Sequence, residues 1–223
     1  MSTYLEICQS VRAQAGIAGS GPSNVQNQVG IYANVVRWVD EAYNEIQTLH
    51  PNWNFLYSQR TLTFPSGFNS YPVLLSEGLR EIANDSYVWQ FQLGRKTRLE
   101  YLPWHIYKNA DRFLEDETGS PEVITADPSG NLVIWPTPDE DYQITFEGFI
   151  VPDVMDISSD IPIIPAQYHD LIKLKALMKY SENFTADTVY RSADTNFRLM
   201  LRKMQFSELP RDNLVQPRFV PFA

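Results

Sequence analysis

Residues 23–56 read SNVQNQVGIYANVVRWVDEAYNEIQTLHPNWNFL. Ser23 stands three residues before Gln26, the spacing of a capping box. Apolar side chains recur at Tyr32, Val35, Val36, Val39, Tyr43, Ile46 and Leu49, and steps of three and four place them on one stripe of a 3.6-residue helix. Opposite them lie Asn34, Arg37, Glu41, Asn44 and Gln47, a wet face. Pro51 disfavours helical geometry at His50, so a helix is predicted over about 24–49. Trp53, Phe55 and Leu56 are expected to follow as an aromatic plug. An apolar stripe this long must be covered, which predicts the central helix of a bundle.

Working outward, residues 3–13 form a short first helix, broken by GIAGSGP (16–22). Helical signals resume after Pro162 and Pro165. Residues 166–182 carry Leu171, Leu174 and Met178, with a lysine face of Lys175 and Lys179. Asn183 is read as a left-handed cap and Thr185 as the next N-cap. In the last helix, 186–206, Ala186, Tyr190, Ala193, Phe197, Met200 and Met204 repeat at steps of four and three. Asp187–Arg191 and Asp194–Arg198 are favourable i,i+4 pairs on its exposed side. These two helices are the expected partners of the Tyr32–Leu49 stripe.

Between the helix pairs the period changes to two. Strands are predicted at Arg60–Phe64, Tyr71–Leu75, Leu79–Ile82, Ser86–Phe91, Arg98–Leu102 and Tyr142–Ile150, with a short helix opened by Pro103. Val123–Ala126 and Leu132–Trp135 flank Asp127-Pro128-Ser129-Gly130, where proline second and glycine fourth is type I turn chemistry. Short connections favour antiparallel pairing. The predicted fold is α+β: a discontinuous antiparallel bundle of four helices, an antiparallel β module inserted between helices 2 and 3, and an extended C-terminal tail. The expected division is 1–57, 58–160, 161–206 and 207–223. The tail (Leu214, Val215, Phe219, Val220 and Phe222 among Pro210, Pro217 and Pro221) is too apolar for a solvated linker and too proline-rich for a helix.

Composition narrows the function. Hydrophobic residues make up 43% and aromatics 13% of the 223 residues, which excludes general disorder. No run approaches the roughly 20 apolar residues of a membrane span, and MSTYLEICQSVR at the N-terminus is not read as a secretory signal. A single cysteine, Cys8, forbids an internal disulfide and a thiolate metal cage. Synthesis in a reducing cytoplasm is expected. The net charge of −9 is uneven: residues 106–160 hold thirteen acidic side chains against Lys108 and Arg112, whereas residues 161–206 hold seven basic against four acidic. That asymmetry argues against a duplex-DNA binder and permits assembly in which acidic surface of one part faces basic surface of a neighbour.

Catalytic constellations do not emerge. His50, His105 and His169 lack metal-ligand spacing, and no HExxH, GxSxG, Walker loop or GxGxxG occurs. Cys8 beside Ile7 reads as a small buried hydrophobe. The acidic loops Glu115-Asp116-Glu117 and Asp139-Glu140-Asp141 lack calcium-loop spacing and read as solvated charge. The five tryptophans are scattered instead of forming stacking platforms among basic residues. No catalytic residue, cofactor or metal ligand is therefore assigned, and the chain reads as an assembly part.

Two stretches, residues 11–56 and 119–180, go further. Gly19–Pro22, Val39, Ala42, Ile46 and Gln47, then Pro136, Pro138, Pro162, Pro165, Tyr168 and His169, follow an order and spacing that resembles the head-to-tail adaptor proteins of short-tailed bacteriophages. The resemblance implies a non-enzymatic virion protein at the head-to-tail junction. It implies a ring of twelve copies beneath the portal protein that extends the DNA channel, with genomic DNA only passing through, and a docking surface for the tail nozzle protein. No membrane partner is implied.

On that reading the acidic loops Glu115, Asp116, Glu117, Asp139, Glu140 and Asp141 are expected to face the lumen or the nozzle, where carboxylates repel DNA phosphates. Leu214, Pro217, Arg218, Phe219 and Phe222 are expected to dock the tail on the portal, as buried aromatic and arginine anchors do. The wet face of Arg37, Glu41 and Asn44 is expected to meet the next subunit. Two other classes stay open at this point: a tail-associated glycan-binding or cell-wall-degrading module, and a stopper or tail-terminator ring protein.

Overall fold

The computed structural model describes residues 1–72, 78–82, 88–90, 96–114 and 116–210. The chain divides into two compact units, Leu56–Val151 and the remainder on either side of it in sequence. The architecture is α+β, with four long helices in one unit and mainly antiparallel sheets in the other.

In the helical unit, α1 spans Tyr4–Gln14 and opens with a capping box at Thr3: its side chain accepts from Glu6 N while the Glu6 carboxylate accepts from Thr3 N. The box expected at Ser23 does not start a helix. Helix α2 spans Ile31–Thr48 and begins from Gly30 at φ +61°. Residues 24–30 are polar and glycine-containing, and Asn27 is left-handed at φ +56°. Their one apolar anchor, Val25, is buried with its N–H donating to Ser158 Oγ at 3.1 Å. Tertiary contact thus overrides a weak local cap.

Helix α3, His169–Phe184, follows a 3-10 turn at Ala166–Tyr168, and α4 spans Asp187–Glu208. Thr185, not Asn183, is the left-handed residue between them, at φ +54°. Asn183 stays helical and donates from its side chain to Lys179 O. The centre of the bundle is α3, which packs against α1, α2 and α4. No residue from Leu171 to Ser181 is exposed. Its lysines disguise that position in the sequence, because Lys175 and Lys179 are only partly exposed and carry their ammonium groups to Glu41 and Glu45 of α2.

On α2 the buried residues are Val35, Trp38, Val39, Ala42, Tyr43, Ile46 and Gln47, so the stripe is turned from the expected one and leaves Leu49 48% exposed. Gln47, expected wet, is fully buried. It clamps the returning chain: its Nε2 donates to Asp153 O at 3.0 Å and its Oε1 accepts from Asp153 N at 2.8 Å. Tyr43 reinforces this, donating to Asp153 Oδ2 at 2.8 Å and accepting from Ile163 N at 2.9 Å. The same strap caps α1, with Tyr4 N donating to Asp160 O and Leu5 N to Ser158 O. Trp53 is buried and stacks on Phe55 at 5.5 Å.

In the β unit, β1 (Tyr57–Phe64) pairs antiparallel with β11 (Tyr142–Ile150) along its whole length, Tyr57 opposite Phe149 and Phe64 opposite Tyr142. Strand β11 also pairs with β3 (Leu79–Ile82) and β4 (Val88–Gln90), and β4 with β5 (Lys96–Arg98). A second sheet holds β2 (Ser70–Tyr71), β9 (Leu132–Trp135), β8 (Val123–Ala126) and β6 (Glu100–Tyr101). The β6–β8 pair is parallel, a short exception to the antiparallel pattern. Alternate residues of β11 (Tyr142, Ile144, Phe146) meet Phe64, Leu79, Ile124, Leu132 and Ile134 in one core. Gly148 is required where β3 approaches, since a Cβ there would lie 2.5 Å from Glu81 O. Parts of the expected strands Tyr71–Leu75 and Ser86–Phe91 lie outside the described residues.

Candidate interaction surfaces

Strand β8 enters its turn through Asp127, whose Oδ1 accepts from Ser129 N and Asn131 N and whose Oδ2 accepts from Asn131 Nδ2. Burial opposes its charge, but these donors prevail and hold its pKa below the usual carboxylate value. Past β9 the chain forms β10 (Thr137–Pro138), which pairs in parallel with β7 (Thr118–Gly119). Thr137 N donates to Glu117 O at 2.9 Å.

This two-residue ladder brings the acidic loops to neighbouring positions. Asp116 and Glu117 precede β7, and Asp139, Glu140 and Asp141 follow β10. Asp116, Glu117, Asp139 and Asp141 are exposed and Glu140 is half-buried. The second loop is shaped by its own acids: Asp139 Oδ1 accepts from Tyr142 OH at 2.7 Å, and Asp141 Oδ1 accepts from Ser66 N at 3.0 Å. Burial, then Asp139, push the Tyr142 hydroxyl pKa up. Glu115 and the anchors Leu214, Pro217, Arg218, Phe219 and Phe222 lie outside the described residues.

Beside the ladder strands sits an aromatic cluster, with Tyr107 stacked on Phe113 at 4.7 Å and Phe113 edge-on to Trp135 at 5.2 Å. Arg112 covers Trp135 at 4.5 Å and pairs with Glu122 at 2.8 Å. Periodicity alone had no means of finding this group, because its members come from a helical turn (Trp104–Tyr107), a 3-10 turn (Asp111–Leu114) and two strands.

In the helical unit the wet face of α2 is partly used within the chain. Lys179 Nζ lies 3.1 Å from Glu41 and 2.5 Å from Glu45, and Lys175 lies 3.0 Å from Glu45. Burial works against the Glu45 charge, yet the two ammonium groups hold its pKa below the usual value. Arg37 and Asn44 remain exposed. The GSGP loop is held from both sides, Arg12 donating to the carbonyls of Ile17 and Gly19 and Tyr32 OH to Ala18 O.

The residues weighed for catalysis have structural settings. Cys8 is fully buried, and burial pushes its thiol pKa up. Tyr4 OH donates to Asp40, whose carboxyl pKa is raised by burial. His169 is buried, its Nε2 2.9 Å from Ile164 O and its Nδ1 accepting from Ser2 N. Burial pulls its pKa below 6.5. His50 stands edge-on to Trp53, with Gln205 Nε2 at 2.8 Å, and His105 is exposed. Among the described residues no group of three or more His, Cys, Asp or Glu is placed to hold a metal ion, and no helix is long and apolar enough to cross a membrane.

The sequence profile of the SU10 adaptor protein family matches residues 2–218, both units included. The chain belongs to the SU10 adaptor protein family. No curated protein matches it in sequence. Membership makes it a structural bacteriophage adaptor of the head-to-tail connection. It implies a virion component that contacts other head and tail proteins and assembles with itself. The SU10 adaptor match runs through the GSGP loop, the Gln47 clamp and the ladder of acidic loops alike.

Proposed function

We propose that this adaptor forms a ring of twelve copies that joins the portal protein to the tail nozzle protein, continues the DNA channel and acts without catalysis. The observation that carries this reading is the family match over residues 2–218, which takes in the helical and β units together. In the proposed ring the chain works as four parts: the two halves of the bundle, the β module and the C-terminal tail.

The acidic loops supply a mechanism. Asp116, Glu117, Asp139, Glu140 and Asp141, with Glu115 beside them in sequence, concentrate negative charge next to one short ladder. Facing the lumen, such charge repels phosphates and lets the genome slide without adhering. Facing the nozzle, it selects a basic partner surface. Leu214, Pro217, Arg218, Phe219 and Phe222 anchor the chain on the portal.

Electron microscopy of the protein mixed with its portal tests this. A coaxial ring below the portal is expected, and a chain ending at Pro210 is expected to leave the portal bare. Portal particles that stay bare with the full chain overturn the ring reading. A truncated chain that still assembles overturns the role given to the tail alone.

A further inference from the structure

Helix α4 turns Ala193, Phe197 and Met204 inward. On the opposite arc Arg191, Thr195, Arg198 and Arg202 recur at steps of four, three and four, with Leu199 beside them 55% exposed. All three arginines are exposed. Arg198 reaches Asp194 at 2.9 Å, at the edge of the arc, while the expected Asp187–Arg191 pair is not formed and Arg191 and Arg202 have no ion-pair partner among the described residues. Arginine interleaved with exposed aliphatic surface is the composition of a protein-contact face.

The complementary face lies on the same unit. The strap at residues 152–161, PDVMDISSDI, carries three carboxylates and no base. Met155 is its buried peg, whereas Val154, Ile157 and Ile161 stand outward at 72%, 50% and 50% exposure. The strap cannot swing away to expose a different face, because Gln47, Tyr43 and the first turn of α1 bind its backbone and Asp153. Asp156 is exposed, and its backbone N–H and C=O are held by Asp160 and Gln26, so its carboxylate is presented from a fixed backbone.

We propose that the arginine face of α4 in one copy receives the acidic aliphatic strap of a second copy. The inference rests on the ring reading above and names the surfaces that would close it. Charge complementarity and the matching aliphatic surface select the occupant. Duplex DNA would meet the arginines of a chain whose net charge is −9, with Leu199 set against phosphate. Because the strap is bound to α1 and α2 and the arginines belong to α4, the two faces differ. The contact is therefore head-to-tail, and repeats around a ring when the rotation closes.

Two full-length variants test this, R191E/R202E on the helix and D156R/S159R on the strap, all at exposed positions. Circular dichroism and the thermal transition check that each is folded, and R202E alone replaces the first pair if that one is not. Each variant alone is expected to lose ring assembly on the portal. A one-to-one mixture is expected to regain it, since each altered face then meets its complement on the other chain. Wild-type assembly by either variant alone, or a mixture that stays unassembled, overturns this contact while the ring reading stands. Absence of rings from the wild-type protein overturns both. A helix variant that assembles but has lost retention of duplex DNA assigns the arginine face to nucleic acid and overturns the proposal.

Discussion

In the helical unit, Glu41 and Glu45 are held by Lys175 and Lys179, and Asp40 and Asp153 by tyrosine hydroxyls. In the β unit, Asp116 and Glu117 stand exposed, and Asp139 and Asp141 accept from a tyrosine and from the Ser66 backbone and meet no cation among the described residues. These four acids of the first unit bind its own chain together; those of the second stand beside a short ladder, most of them exposed. Carboxylates paired internally stabilise a scaffold, whereas exposed ones are available to a partner. The same acidic composition therefore serves two purposes, and position in the fold separates them.

The contrast can be broken experimentally. The largest effect is expected in the β core. Phe146→Ala removes a fully buried ring and should cost about 3–5 kcal/mol. Urea unfolding of the full chain measures it, and a loss below about 1 kcal/mol would mean that this core is loosely packed. In the helical unit, Gln47→Ala strands Asp153 N and O and should cost about 1–3 kcal/mol. Gln47→Glu tests the polarity of the clamp, since a carboxylate cannot donate to Asp153 O.

Thr185→Gly relieves a left-handed threonine and should stabilise the α3–α4 junction, by about 1 kcal/mol before the added freedom of the unfolded chain is subtracted. A melting temperature that falls would show that the Thr185 side chain contributes more than its backbone costs.

The pH response separates the units further. His169 has a folded pKa below 6.5, so above that value both folded and unfolded forms are neutral and its contribution is complete. As pH falls below 6.5 the unfolded chain takes up the proton first, and stability declines until the folded pKa is passed. Stability measured across this window should slope downward toward acid, and His169→Asn should flatten the slope. An unchanged slope would assign it to another group.

Much of the fold was legible. The hairpin Val123–Ala126 and Leu132–Trp135 and the strand Tyr142–Ile150 were predicted with their observed limits, because alternating β-branched and aromatic residues and the Asp-Pro-Ser-Gly turn act locally. The start of α2 was not legible: a capping-box spacing at Ser23 is a local signal, and the burial of Val25 against the strap is not. Gln47 looked wet because helix periodicity reports direction around an axis and says nothing of a chain returning more than a hundred residues later. The acidic loops were found as charge runs, but their adjacency depends on the β7–β10 ladder, which has only two residues and no sequence signature. The aromatic cluster around Arg112 escaped for the same reason.

Sequence alone therefore determined the α+β class, the discontinuous bundle, the uneven charge and the resemblance that the family match upholds. These follow from periodicity, composition and turn chemistry, all of which act over a few residues. Tertiary structure alone decided that α3 and not α2 is the central helix, because centrality depends on how many neighbours a helix has and not on how amphipathic it is. It also decided that the Ser23–Gln26 spacing yields to Gly30, and that Gln47 turns from a wet-face residue into the clamp on the strap. Each of these outcomes hangs on contacts between residues far apart in the chain, whose energies no local pattern contains.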